Sequence, residues 1–215
     1  MEKIVMFGCG GHAMSVMDTI KNNKEYVVIG FVDKEKTDYT YDGVGVITTD
    51  TDISGLEAHG VKYAAMGIGS VKGAGTIRMK VYENAVKEGL LFPVIADATA
   101  VVSESAVVED GTFIGKGALI NAETHIGKCA IVNTGAIIEH CVEVGDFTHI
   151  SVGTVVCGDV IIGNNCMIGA NATITQGVKI GDNVTVGAGS VVLHDVLDGE
   201  TVVGNPARVI RENNG

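Results

Sequence analysis

Isoleucine or valine stands at every sixth position from Val102 to Val192, sixteen times without a miss. At the frequency of these residues in the chain, chance would break such a run within a few steps. Six residues make one short strand and one turn, and three such units close a triangular coil of 18 residues. Stacked coils then pair strand on strand at about 4.8 Å. About ninety residues of unbroken phase make about five coils of a parallel β-helix with one aliphatic side chain pointing inward on each face. The residue after the aliphatic one is often glycine (Gly115, Gly127, Gly145, Gly163, Gly169, Gly181, Gly187), which predicts a tight corner there. With 30 Gly, no Trp and 5% aromatic residues, the core has to be built from small aliphatic side chains.

The chain before the repeat reads differently. Lys3 to Phe7 predicts a buried strand, Gly8 to Ala13 a glycine turn, His12 to about Asn22 a helix, and Tyr26 to Val32 a second strand ended by Asp33. A βαβ start with G-x-G-x-x-A and a following acid suits a backbone that approaches phosphate at a helix N-terminus. A third strand is expected from about Lys62 to Ile68, ending in Gly67-Ile68-Gly69-Ser70. A helix follows from about Thr76 to Glu88, and a fourth strand at Leu91 to Ile95. This is a Rossmann-like domain over 1–95, too short for a full dinucleotide fold and better matched to one nucleotide-linked ligand. The β-helix and a C-terminal tail occupy 96–215.

A formal charge of −11 argues against nucleic acid, whose phosphates call for clustered Lys and Arg. The five cysteines are scattered, with no CxxC pair, so neither a disulfide framework nor a zinc knuckle is indicated and free thiols are expected. The N-terminal apolar run is short, which predicts no signal peptide and no membrane span. A soluble, cytoplasmic protein is the expectation.

Polar residues interrupt the repeat in one stretch, at Asn133, Glu139, His140, Asp146 and His149. A bare spacer needs no such break. His140 lies two residues after Ile138, phased away from the aliphatic core, where an imidazole can take a proton near neutral pH. His149 precedes Ile150, at a corner where it could face a neighbouring subunit. Asn133 precedes Ser151 by 18 residues and should stack on it, one coil away. His12 opens the first helix, either to contact a ligand or only to cap. His59, His125 and His194 read as ordinary surface positions. A metal-dependent carbonic anhydrase, a class that also uses left-handed β-helices with three histidines, is the rival enzyme reading, but His125, His140 and His149 fall at differing heights and faces and would not converge on a metal. A non-enzymatic sugar-nucleotide-binding scaffold is the other alternative.

Gly8-x-Gly10-Gly11-His12-Ala13, Phe31-Val32-Asp33, the segment Asn133 to His140, Gly145 to Ile150 and the closing Gly204-Asn205-Pro206-Ala207 resemble the sugar O-/N-acyltransferase family. That family includes sialic acid O-acetyltransferases and PglD-like acetyltransferases of UDP-linked 4-amino sugars. The resemblance covers nearly the whole chain. It implies a left-handed β-helix, acetyl-CoA as co-substrate, no metal, a homotrimer with sites between neighbouring coils, and a role in surface glycan synthesis. The acceptor is then the amino group of a nucleotide-activated amino sugar or, alternatively, a hydroxyl of a sialic acid or related sugar.

By the same resemblance, Gly10, Gly11, His12, Asp33, Lys34 and Gly69 hold the nucleotide sugar. His140 is the catalytic histidine, with Glu139 and Asn133 beside it. His149, Gly169, Ala170, Gly187 and Ala188 hold the donor. Two departures stand out. The bacillosamine-type enzymes have glutamate directly after the catalytic histidine, where it raises the basicity of the imidazole, and here that position is Cys141. The group that orients His140 is then Glu139, Glu143, Asp146 or a backbone carbonyl. At the join between the domains, Ala96-Asp97 replaces the His-Pro of many relatives.

Overall fold

The computed structural model describes residues 1–56, 60–69 and 74–211, so His59 and Ser70 lie outside the described residues. The chain divides into two compact units, Met1–Ala98 and Thr99–Gly215.

In the first unit, β1 (Glu2–Phe7), α1 (Gly11–Asn23) and β2 (Tyr26–Val32) form the expected βαβ start. The two strands are parallel neighbours, with Lys3 opposite Val27 and Phe7 opposite Val32. A hairpin of β3 (Thr40–Tyr41) and β4 (Val44–Thr48) follows, then β5 (Tyr63–Met66), α2 (Ala74–Lys87) and the short β6 (Ile95–Ala96). The sheet order is β3-β4-β2-β1-β5. The sequence offers no alternation to announce β4, whose residues are half-buried or exposed throughout. The expected fourth strand is mostly absent: Leu91 makes a single bridge to Tyr63, and strand geometry returns only at Ile95.

The buried faces of β1, β2 and β5 pack with Ile53, Leu56, Val81, Ala85, Leu90 and Phe92. α1 covers the sheet with Ala13, Val16, Met17 and Ile20. Asp97, at the departure from the family pattern, is buried and accepts a hydrogen bond from Thr19 Oγ1 at 3.2 Å, while Asn23 Nδ2 donates to the Ala96 carbonyl at 2.6 Å. These two bonds tie the end of the unit to α1.

The second unit is the left-handed parallel β-helix. Sixteen two-residue strands, β7 (Val101–Val102) to β22 (Val191–Val192), recur every six residues and stack into three faces. The first face holds Val101–Val102, Leu119–Ile120, Ile137–Ile138, Val155–Val156, Thr173–Ile174 and Val191–Val192; the second runs from Val107–Val108 to Lys179–Ile180; the third holds Phe113–Ile114, Ile131–Val132, His149–Ile150, Met167–Ile168 and Thr185–Val186. The second residue of each strand points inward, and those from Ile114 to Val192 are all nearly or fully buried.

The corners work differently from the sequence expectation. From Val108 to Val186 the backbone turns three residues after each inward side chain, where φ is positive: Glu123, Cys141 and Asp159 (57°, 58° and 59°) mark the edge between the first and second faces. Residues with short polar side chains, or glycine, tolerate this left-handed conformation best. The glycine directly after the aliphatic residue answers to coil stacking instead. A methyl group on Gly169 would stand 2.5 Å from the amide nitrogen of Ala188 in the next coil, and one on Gly115 would stand 2.8 Å from that of Thr134.

Polar ladders hold the stack. Asp146 Oδ1 accepts from the Lys128 amide (2.7 Å), Asn164 Oδ1 from the Asp146 amide (2.8 Å) and Asp182 Oδ1 from the Asn164 amide (2.6 Å). Inside, the Cys166 thiol donates to the Gly181 carbonyl at 3.0 Å, and burial pushes its pKa up to about 12. The closing motif seals the last coil: the Gly204 amide donates to Ser190 Oγ and the Ala207 amide to the Val191 carbonyl. Among the described residues, no helix is long and apolar enough to cross a membrane.

Candidate active site

The edge between the third and first faces gathers most of the residues expected to hold a donor. Asn133, Ser151, Gly169 and Gly187 follow one another at 18-residue intervals, each the residue after an inward aliphatic of the third face. The rungs are closed by backbone bonds from Asn133 to Ile150 (2.9 Å), Ser151 to Ile168 (3.0 Å) and Gly169 to Val186 (2.8 Å). Ala170 and Ala188 come next on the same edge. The result is a vertical strip of small residues along which a narrow chain can lie.

His149 is not at a corner. It occupies the outward position of a strand, paired in register with Ile131 and Met167, because the two-residue strand includes the position before the inward Ile150. It is 9% exposed, and Asn133 Nδ2 stands 3.3 Å from its Nε2. Asn133 Oδ1 accepts from the Thr134 amide at 2.8 Å, which turns the amide NH2 toward the ring. An amide NH2 only donates, so in this contact His149 Nε2 is the acceptor. Asn133 and His149 are thus brought together. Ser151 is buried one coil on in the column of Asn133, a site neighbour that only the 18-residue spacing signals.

His140 stands on a different edge, between the first and second faces, and its side chain is exposed. The ring lies over Gly158, one coil on: a methyl group at 158 would be 2.5 Å from Cε1 and 2.7 Å from Nε2. A ring nitrogen of His140, Cys141 Sγ and an oxygen of Asp159 all lie within 4.8 Å of one another. Asp159 is 18 residues after Cys141, so the two share a column, and the Asp159 amide donates to the His140 carbonyl at 3.1 Å. Reading the repeat down its columns rather than along the chain would have found both Gly158 and Asp159.

Of the acids expected to orient His140, Asp146 and Glu143 sit elsewhere, and Glu139 stays beside it in the chain. Asp146 lies on the next edge, in the amide ladder. Glu143 projects outward from the second face, in register with His125 and Ile161. Glu139 is half-buried beside His140, and its carbonyl accepts from Thr124 Oγ1 at 2.8 Å. His125 pairs with Glu109 at 3.2 Å, apart from both His140 and His149.

In the first unit the glycine turn opens α1. Gly10 is the N-cap of α1, with no side-chain cap and no acid in the first turn. Among the described residues, a methyl group on Gly10 or Gly11 would meet nothing within 4 Å, whereas one on Gly69 would stand 3.2 Å from His12 Cβ. The amides of that first turn and the helix dipole favour an anion.

Asp33 organises this turn. Its Oδ2 accepts from the Cys9 amide and thiol, both at 3.2 Å, and its Oδ1 from the amides of Glu35 (2.9 Å) and Lys36 (3.1 Å). Burial alone would raise its pKa, but these hydrogen bonds outweigh it and hold the carboxyl below its usual range. The Cys9 thiol is pushed up to about 11, chiefly by burial and then by its bond to Asp33. About four acceptor sites of a carboxylate are thereby filled within the chain. Lys34, beside it, is exposed.

Family models agree with both halves. Residues 3–85 match the PglD N-terminal domain, residues 141–176 the bacterial transferase hexapeptide (six repeats), and residues 159–194 the hexapeptide repeat of succinyl-transferase. Among solved structures, a histidine variant of perosamine N-acetyltransferase from Caulobacter crescentus, in complex with CoA and GDP-perosamine, is 30% identical with a TM-score of 0.93, over 99% of this chain and 98% of that one. The acetyltransferase domain of PglB from Neisseria gonorrhoeae, in complex with acetyl coenzyme A, is 32% identical with a TM-score of 0.89, over 97% of this chain and 99% of that one. WeeI from Acinetobacter baumannii, at 24% identity and a TM-score of 0.87, shares the fold. The chain belongs to the hexapeptide-repeat sugar acetyltransferases whose N-terminal domain is of the PglD type.

Proposed function

We propose that this protein transfers the acetyl group of acetyl-CoA to the amino group of a nucleotide-activated amino sugar, with His140 as general base. The observation that carries the reading is the pairing of two features in one chain: an uncapped glycine turn suited to phosphate, and an exposed imidazole held on a β-helix with a strip of small residues. Relatives of nearly the same length bind CoA with GDP-perosamine, or acetyl-CoA.

The chemistry follows from the residues. The sugar amine attacks the thioester carbonyl carbon while a nitrogen of His140 takes the amine proton. The carbonyl oxygen becomes an oxyanion, and its collapse breaks the C–S bond and expels the CoA thiolate. A proton from the imidazolium or from water neutralises that thiolate, and the amide product remains. Gly10 and Gly11 bind the diphosphate through backbone amides, His12, Lys34 and Gly69 border it, and Asp33 holds the turn in shape. On the β-helix, Asn133 fixes His149 against the donor, and the strip at Gly169, Ala170, Gly187 and Ala188 takes the pantetheine arm. Glu139 borders the base.

His140 and the donor strip lie on different edges of one triangular prism, so a site that uses both needs two chains. A homotrimer meets this need. Its contact surface is the first face, whose outward column of Val101, Leu119, Ile137, Val155, Thr173 and Val191 is apolar at every position but Thr173 and is exposed at Val101 (62%) and Leu119 (39%). The free cysteines fit a cytoplasmic location.

The test is thiol release from acetyl-CoA against a panel of GDP-, UDP- and dTDP-linked amino sugars and free sialic acids. Turnover with a nucleotide amino sugar and a product heavier by one acetyl group on nitrogen is expected. Turnover confined to sialic acid hydroxyls contradicts the proposal.

A further inference from the structure

We infer that Asp159 is the positioning carboxylate of His140, taking over from the next coil the place that the family gives to the residue after the histidine. The inference rests on the proposed role of His140 as base. A histidine base works best when a third group holds its ring in one orientation, and Cys141 cannot supply a carboxylate. The left-handed parallel stacking offers another source. Residues 18 apart share a column, and the column of Cys141 carries Asp159 directly on the following coil.

The local geometry supports this substitution. Gly158 gives the His140 ring a flat seat, with room for no side chain beneath it. Asp159, next in sequence to that seat, has a carboxylate oxygen within 4.8 Å of both the imidazole nitrogen and Cys141 Sγ. Both 141 and 159 have left-handed φ, 58° and 59°, so their side chains leave the corner in the same direction. Gln176 Nε2 donates to Asp159 Oδ2 at 3.1 Å, which anchors one oxygen, while among the described residues nothing bonds Oδ1, so it can turn to the ring. The next residue in the column is Gly177, which adds no side chain of its own above the carboxylate.

The experiment measures kcat and both KM values by thiol release, with a chelator present, for the full chain and four variants. Asp159→Asn should lower kcat about 10- to 100-fold, the range for groups that orient a functional imidazole, and leave both KM values within about 2-fold. Adding Cys141→Asp to Asp159→Asn restores the acid at the family position, on a backbone that Asp tolerates, and should bring kcat back to within about 3-fold of wild type. In a His140→Ala background, Asp159→Asn should change kcat by less than about 2-fold, because the two residues act as a unit. If His140→Ala is inactive but Asp159→Asn keeps wild-type kcat, the positioning role is overturned and the base role stands. The positioning role is likewise overturned if Asp159→Asn costs as much without His140 as with it. If His140→Ala keeps wild-type kcat, both roles fall together.

Discussion

The imidazole of His140 occupies the space that any side chain at Gly158 would need, since a methyl group there would stand 2.5 Å from Cε1. Gly158→Ala should therefore displace the ring while leaving the coil intact, because position 158 is not among those that require positive φ. A displacement near 1 Å at a reacting group costs on the order of 10²-fold in rate. Steady-state kinetics should show that loss in kcat, with nucleotide-sugar binding unchanged by calorimetry. A wild-type kcat in this variant would mean that the ring position seen here is not the working one.

In the proposed site Asn133 belongs to the donor side. Its amide is oriented by Thr134 and donates to His149, so Asn133→Ala removes one hydrogen bond to a nearly buried ring. A bond of that kind contributes about 0.5 to 1.5 kcal/mol, which corresponds to a rise of about 2- to 10-fold in KM for acetyl-CoA. The KM for the nucleotide sugar should stay constant, and a rise there instead would place Asn133 against the acceptor.

The carboxyl of Asp33 is held below its usual range by hydrogen bonds from Glu35, Lys36 and Cys9, against the opposing effect of burial. A depressed folded-state pKa stabilises the fold above the unfolded value, about 3.9, and that stabilisation is lost as pH falls through the folded value. Asp33→Asn should lower the melting temperature of the N-terminal unit at pH 7. The gap from wild type should narrow below about pH 4 and vanish in stronger acid. A gap that stays constant with pH would show that the charge of Asp33 contributes nothing.

Leu119 is part of the apolar outward column of the first face. Leu119→Asp should place a charge in each proposed contact and shift the light-scattering mass from about three chains toward one. Activity should fall with the mass, since the proposed site draws on two chains. A monomeric wild type with full activity would contradict the intersubunit site.

The scaffold was legible because it is written in a period: each of the sixteen inward positions from Val102 to Val192 is the second residue of a strand. Column neighbours were legible for the same reason, and Asn133 does stack on Ser151. What the period could not announce was the conformation of single corners and the direction of single side chains. The 18-residue spacing makes Cys141 and Asp159 column neighbours, but only the stacked coils show that both side chains come within 4.8 Å of a nitrogen of the His140 ring. In the N-terminal unit, β3 and β4 were missed because a hairpin at a sheet edge needs little burial and leaves little pattern. Asp33 was legible as an acid at a strand end, but not as one whose acceptor sites the turn itself fills.

The most direct test of the central claim is the thiol-release rate of His140→Ala at saturating acetyl-CoA and nucleotide amino sugar. A positioned general base is typically worth about 10² to 10⁴ in rate, so kcat should fall by at least about 10²-fold while both substrates still bind. A kcat within a few fold of wild type would contradict a general-base role for His140.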